Sequence, residues 1–162
     1  MEPFIVLIAV TVIILIAGAA GVQRNRPWPV ALRGGLAAMF FLTGTVHFVY
    51  LRTELIGMVP PALPYPGLIV TSTGVLEWAG AIGLLWRPTV LWASGGLSLL
   101  LIVMFPANLY IAINGLSTSP EDALIPRTLM QILFLSVSVA IWTFYFRHRS
   151  IRKPGGKFGA VR

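Results

Sequence analysis

The sequence predicts an all-α integral membrane protein with several membrane spans, and its composition is the first reason. Hydrophobic residues make up 57% of the 162 residues and charged residues only 10%, and the mean hydropathy is +0.85. Soluble domains do not reach these values. Because one spanning helix needs about 20 apolar residues, the chain has room for about five spans, short connections and no domain outside the membrane.

Uninterrupted apolar runs are the second reason. We expect five spans, at residues 3–22, 30–51, 66–86, 89–113 and 125–146. The first run is too long for a signal peptide, and Glu2 stands where a signal peptide carries positive charge, so we interpret it as a retained anchor. Residues 1–29 then form an anchor helix with a basic connection, residues 30–146 a membrane domain, and residues 147–162 a basic tail.

The basic residues predict the orientation in the membrane. Five spans place ten of the twelve lysine and arginine residues on one side of the membrane: Arg24, Arg26, Arg33, Arg87, Arg147, Arg149, Arg152, Lys153, Lys157 and Arg162. Positive residues near span ends favour the cytoplasm, so we expect the amino terminus outside and the tail inside. We expect the anionic headgroups of the lipid bilayer to balance the net charge of +7. We expect no nucleic-acid partner, because no soluble fold presents these residues.

The absence of cysteine limits the chemistry of this chain. With no cysteine in the sequence, disulfide exchange, iron–sulfur ligation and thiolate-bound zinc are excluded for the chain acting alone. Any redox activity therefore needs a bound cofactor or a partner protein.

One acidic residue, Glu77, lies inside a predicted span, close to the middle of the third run. An ionised carboxylate at the membrane midplane costs about 3 kcal/mol on insertion scales. We therefore expect Glu77 to be either protonated or paired, and His47 and Arg127 are the available partners. The sequence does not choose between these states.

Polar residues of four spans fall at similar depth in the outer half of the membrane, since a helix advances about 1.5 Å per residue. We predict that His47 and Glu77 handle a proton. The residues predicted to bind a ligand beside them are Thr43, Asn108, Arg127 and Gln131. Two candidate ligands, His47 and Glu77, are too few for a metal site.

Prolines are expected to shape two places. Pro106 removes a backbone donor inside the fourth span, which frees the carbonyl of Ile102 and favours a kink. The segment 57–66, "GMVPPALPYP", contains four prolines, so we expect a stiff turn that is not helical.

The motifs "HFVY", "GMVPPALPYP", "STGVLEWAGAIGLL", "FPANLYIA" and "PRTLMQ", in this order, resemble the DoxX family of bacterial membrane proteins over about residues 31–141. The resemblance implies a four-helix transmembrane bundle in the bacterial inner membrane, to which this chain adds one amino-terminal helix. Some DoxX relatives are small membrane subunits of thiosulfate:quinone oxidoreductase, and others associate with redox-defence enzymes. The family pattern singles out His47, Pro60, Pro61, Gly74, Glu77, Pro106, Asn108 and Gln131.

Three functions stay open from the sequence. In the first, the chain is a membrane subunit that binds a quinone or isoprenoid-like molecule in an outward-facing polar pocket and works with a redox enzyme. In the second, it is a non-enzymatic scaffold or assembly factor, and Glu77, Asn108 and Gln131 only join helices. In the third, transport, a polar route through the inner half would be needed, and the sequence offers only small hydroxyls there. The chain alone supplies no cofactor.

Overall fold

The computed structural model describes residues 2–21, 28–49, 51–114 and 124–151 of the chain, and all regular structure in these ranges is helical. The helices are α1 (Glu2–Ala19), α2 (Trp28–Val46), α3 (Arg52–Met58), α4 (Pro66–Leu85), α5 (Val90–Asn114) and α6 (Leu124–Ile151). All except the short α3 are long and apolar enough to cross a membrane, which gives five candidate spans in the described ranges. The predicted fold class is confirmed.

Helices α2, α4, α5 and α6 form an antiparallel four-helix bundle, and close contacts fix the order of its neighbours. Trp78 of α4 packs against Gly44 of α2, and Leu97 of α5 packs against Gly80 of α4. A hydrogen bond of 3.0 Å between the hydroxyls of Ser98 and Ser138 joins α5 to α6. The core between the helices is apolar and includes Leu36, Phe40, Leu84, Leu97 and Ile141.

The antiparallel arrangement gives the bundle two chemically different ends. We call the "His47 end" the one where α2 and α5 end and α4 and α6 begin. The opposite end, where α2 begins and α6 ends, carries Arg33 and is called the "Arg33 end". Between the two ends, α5 and α6 meet through buried serines, and Ser138 donates to the backbone carbonyl of Ser94 over 3.0 Å.

Helix α1 is peripheral and packs on α2 by close backbone approach. A Cβ atom added to Gly35 would collide with the Thr11 hydroxyl and lie 2.6 Å from the carbonyl oxygen of Leu7. Gly34 likewise faces Ile14 of α1. A small residue permits close approach without specifying which helix approaches, so the glycines alone do not identify α1 as the partner of this face of α2.

One boundary difference, at the end of α2, changes the shape of the site. The apolar run predicted helix to residue 51, but α2 ends at Val46. The backbone N–H of His47 donates to the carbonyl of Gly44 over 3.3 Å, and that of Phe48 donates to the carbonyl of Thr45 over 3.0 Å. Such i to i−3 bonds form a tighter turn than the α-helix. The turn lets the chain bend into α3.

The structure bears on the predicted turn, whereas the kink at Pro106 stays a prediction. The segment 57–66 was predicted to be a stiff turn, and most of it is, although its first two residues complete α3. Tyr65, with φ of 54°, precedes Pro66, which begins α4 at a position where helices accept proline. Helix α5 continues through Pro106 without a break.

Several predicted features lie outside the described residues. They include most of the basic tail (152–162), most of the first connection (22–27) and the acidic residues of the last connection. Helix α6 extends into the predicted tail as far as Ile151.

Gly35→Ala is expected to destabilise the protein, because the new methyl group would overlap Thr11 and the Leu7 carbonyl. Overpacking of this kind costs about 1–3 kcal/mol, so the melting temperature in detergent should fall. Gly96→Ala is the matched control, since nothing lies within 4 Å of a Cβ atom there, and alanine is the better helix former. Equal melting temperatures for the two variants would contradict the described packing of α1.

Candidate functional site

Glu77 points into the bundle because of its place on α4. The buried residues of this helix are Val70, Gly74, Glu77, Ala81 and Leu84, and their spacing of three and four residues defines one helix face. Glu77 lies in the middle of that face, and only 4% of it is exposed. The carboxyl group is therefore surrounded by other helices and is not turned toward acyl chains.

Two residues of the α2 segment meet the Glu77 carboxyl group. The hydroxyl of Thr43 donates a hydrogen bond of 2.6 Å to Glu77 Oε2. His47 Nδ1 lies 4.0 Å from the same oxygen. Thr43 and His47 are four residues apart, the spacing that places side chains on one side of a helical turn. The structure thus brings together the predicted pair, His47 and Glu77, with the predicted ligand residue Thr43.

The hydrogen bonding of His47 fixes the role of one ring nitrogen. Nδ1 lies 2.8 Å from the backbone carbonyl of Thr43. A carbonyl oxygen can only accept, so Nδ1 carries a proton and donates it there. The other nitrogen, Nε2, accepts a hydrogen bond when the ring is neutral and donates one when the ring is protonated. This bond therefore leaves Nε2 as the ring nitrogen that can either accept or donate a hydrogen bond.

Glu77 and His47 each keep one polar atom outside this network. Glu77 Oε1 and His47 Nε2 make none of the hydrogen bonds found among the described residues. Both residues are almost fully buried, with 5% of His47 and 4% of Glu77 exposed. Oε1 and Nε2 are therefore the polar atoms of the pair that remain for a further hydrogen-bond partner.

Glycines allow α2 and α4 to approach at this point. A Cβ atom on Gly74 would lie 2.7 Å from the Cβ of His47. A Cβ atom on Gly44 would lie 2.5 Å from the Trp78 ring. The Trp78 ring also packs against Phe48, with their centres 4.9 Å apart. The polar group thus lies beside a tightly packed glycine and aromatic contact.

Arg52 borders the site at the His47 end. Its Nη2 donates to the Thr71 hydroxyl over 3.0 Å, and its Nη1 lies 3.4 Å from the backbone carbonyl of His47. Arg52 therefore ties α3 and the end of α2 to α4. Arg52 was not predicted to belong to the site. Its position depends on the turn after Val46, and the uninterrupted apolar run had predicted helix there instead.

The other three predicted residues form a separate group between α5 and α6. Arg127 Nη1 donates to Asn108 Oδ1 over 3.1 Å, and Asn108 Nδ2 donates to Gln131 Oε1 over 3.4 Å. Gln131 Nε2 donates to the carbonyl of Leu101 over 2.6 Å. Among the described residues, Glu77 contacts Thr43 and His47 through its carboxyl group, so of its two predicted partners the structure places His47 beside it and not Arg127.

The candidate site shows no arrangement for a metal ion. The described residues contain no group of three or more histidine, cysteine, aspartate or glutamate side chains that could hold one. The chemistry available between α2 and α4 is therefore hydrogen bonding and proton exchange by a carboxyl group, an imidazole and a hydroxyl.

Thr43→Val should destabilise the bundle, because it keeps the side-chain shape but leaves Glu77 Oε2 without its donor. Hydrogen bonds between membrane helices contribute about 1 kcal/mol, so a modest fall in melting temperature is expected. Thr73→Val is the control, because the Thr73 hydroxyl bonds only to carbonyls of its own helix among the described residues. A control that falls as far as Thr43→Val would contradict a specific role for the bond to Glu77.

Comparison with known proteins gives a family but no function. No curated protein and no solved structure matches the chain. A family model described as a domain of unknown function, DUF8561, matches residues 36–147. The match covers more than half of the chain and includes both polar groups, while α1 lies outside it. The chain therefore belongs to the DUF8561 family of proteins.

Proposed function

We propose that this chain is a multi-pass protein of the bacterial inner membrane that binds a small molecule with a polar head and an apolar tail, such as a quinone or an isoprenoid-like lipid. One observation carries the proposal. Glu77 and His47 lie 4.0 Å apart and are almost fully buried, and each has one polar atom outside the hydrogen bonds found among the described residues.

Glu77 Oε1 and His47 Nε2 suit a head group whose oxygens change from hydrogen-bond acceptors to donors on reduction. A quinone presents carbonyl oxygens that accept hydrogen bonds, and its reduced form presents hydroxyls that donate them. The His47 Nε2 atom can take either role, since Nδ1 already donates to the Thr43 carbonyl. A protonated Glu77 donates through the hydrogen of its carboxyl group, and an ionised one accepts. The two residues can therefore follow the change and serve as proton donors or acceptors.

A partner protein supplies the electrons in this proposal. The chain has no cysteine, so no thiol or iron–sulfur centre of its own can transfer them. The resemblance to the DoxX family supports this division, because some DoxX relatives are membrane subunits of a quinone-linked oxidoreductase. The protein would thus hold the quinone and its protons, and a redox enzyme at the membrane would exchange the electrons.

The Glu77→Gln variant tests ligand binding directly. Glutamine keeps the size of the side chain but cannot exchange a proton at this position. We expect the purified protein to retain a quinone or isoprenoid lipid, measured by mass spectrometry, and Glu77→Gln to retain about tenfold less, since one such hydrogen bond corresponds to about 1.4 kcal/mol. Glu54→Gln makes the same chemical change at an exposed position and should retain the amount bound by the wild type.

Two results would contradict this function. One is a wild-type protein that retains no quinone or isoprenoid lipid. The other is a folded Glu77→Gln variant that retains as much ligand as the wild type.

The second candidate function is a structural scaffold that recruits a redox enzyme without binding a ligand. It is favoured by Asn108 and Gln131, which join α5 to α6 through their side chains. A scaffold predicts that Glu77→Gln lowers the melting temperature while the bound lipids stay the same. Recovery of the partner enzyme by affinity purification should then survive this substitution as long as the bundle folds.

The proposed orientation places the Arg33 end in the cytoplasm and the His47 end outside. The distribution of basic residues supports it, because ten of the twelve stand in the sequence within or next to the helix ends that belong to the Arg33 end. A reporter fused after Arg162 should be active in the form that requires the cytoplasm. Activity of a reporter that requires the external side would contradict the orientation and the outward-facing pocket together.

A further inference from the structure

Arg33 is a buried cation at the end of the bundle opposite to Glu77. It lies in α2 and is only 7% exposed. Its Nη1 donates to the hydroxyl of Tyr145 on α6 over 3.3 Å, and this is its one hydrogen bond among the described residues. Its other donors, on Nε and Nη2, make none of the hydrogen bonds found among the described residues. Most donors of this buried guanidinium group therefore have no partner in the described part of the chain.

The described part of the chain places no acidic side chain near Arg33. Its acidic residues are Glu2, Glu54 and Glu77. Glu2 begins α1, which runs antiparallel to α2, and Glu54 belongs to α3 at the His47 end. The described residues therefore supply no countercharge for Arg33.

The chemistry of arginine identifies the kind of molecule. A guanidinium group stays charged in proteins, and a buried charge is unfavourable unless it is paired. Its planar donors match the geometry of a phosphate group, which accepts two parallel hydrogen bonds from them. We propose that Arg33 binds the phosphate of an anionic phospholipid at the Arg33 end.

The surroundings favour a lipid as the source of this phosphate. Trp28 begins α2, is 49% exposed and meets the Phe144 ring of α6 at 5.3 Å between centres. Aromatic residues of this kind lie at the level of lipid headgroups. Arg147 and Arg149 are exposed at the same end and add positive charge around it. The apolar faces of α2 and α6 continue beside the acyl chains.

The experiment compares lipid retention by native mass spectrometry and lipid stabilisation by melting temperature. The probe is phosphatidylglycerol added to the full chain purified in detergent. We expect the wild type to retain one phosphatidylglycerol molecule that Arg33→Gln loses, with at least a tenfold weaker affinity. Arg87→Gln removes an exposed charge at the same end and should bind like the wild type. Tyr145→Phe should leave most of the binding in place.

Arg33→Lys keeps the test decisive if Arg33→Gln does not fold. It preserves the charge but not the paired donors, so affinity should fall while the protein stays folded. Retention of the lipid by both Arg33 variants at the wild-type level would overturn the proposal. Stabilisation by inorganic phosphate alone, equal to that by the lipid, would assign the site to a free anion and overturn the lipid as its source. This inference stands independently of ligand binding at Glu77.

Discussion

The close contact between α2 and α4 is the constraint on which the polar interior depends. Gly74 leaves no room for a methyl group beside His47, and this approach puts the Thr43 hydroxyl within 2.6 Å of Glu77. A carboxyl group inside a membrane bundle needs such a donor, because neither water nor lipid supplies one there. Without the close approach, Glu77 would lie in an apolar gap and His47 would lack its neighbour.

Polar side chains of different kinds lie toward the two ends of the bundle. Glu77, His47 and Arg52 lie toward the His47 end, and serine hydroxyls that bond to backbone carbonyls occupy the interior nearer the other end. In the described part of the bundle, the carboxyl and imidazole groups therefore lie toward one end, and the interior toward the other end is packed and bonded through serines. Arg33 and its Tyr145 neighbour lie at that other end. This asymmetry suits a site for a bound molecule better than a path for transport.

The spanning helices and the place of Glu77 near the middle of α4 were predictable from the sequence, because the lengths of the apolar runs determine both. The turn after Val46 was not predicted, since the residues that follow are as apolar as the helix before them. The burial of Arg33 was also missed, because this residue was treated as one of many basic residues at span ends. Helices that are apolar on most faces give little periodic signal, so their partners depend on packing that a single sequence does not reveal.

The Glu77–His47 pair and the Asn108–Gln131 pair differ in how many of their polar atoms already make hydrogen bonds. This difference separates a structural role from a functional one. Both polar atoms of the Asn108 amide and both of the Gln131 amide take part in hydrogen bonds. These residues join α5 to α6 and have little capacity left for a ligand. Glu77 Oε1 and His47 Nε2 remain outside the hydrogen bonds found among the described residues. A cluster that only holds helices together is not expected to leave two polar atoms unpaired in a membrane, because each unsatisfied group is unfavourable there. These two atoms, rather than the amides of Asn108 and Gln131, therefore support the proposal of a ligand site between α2 and α4.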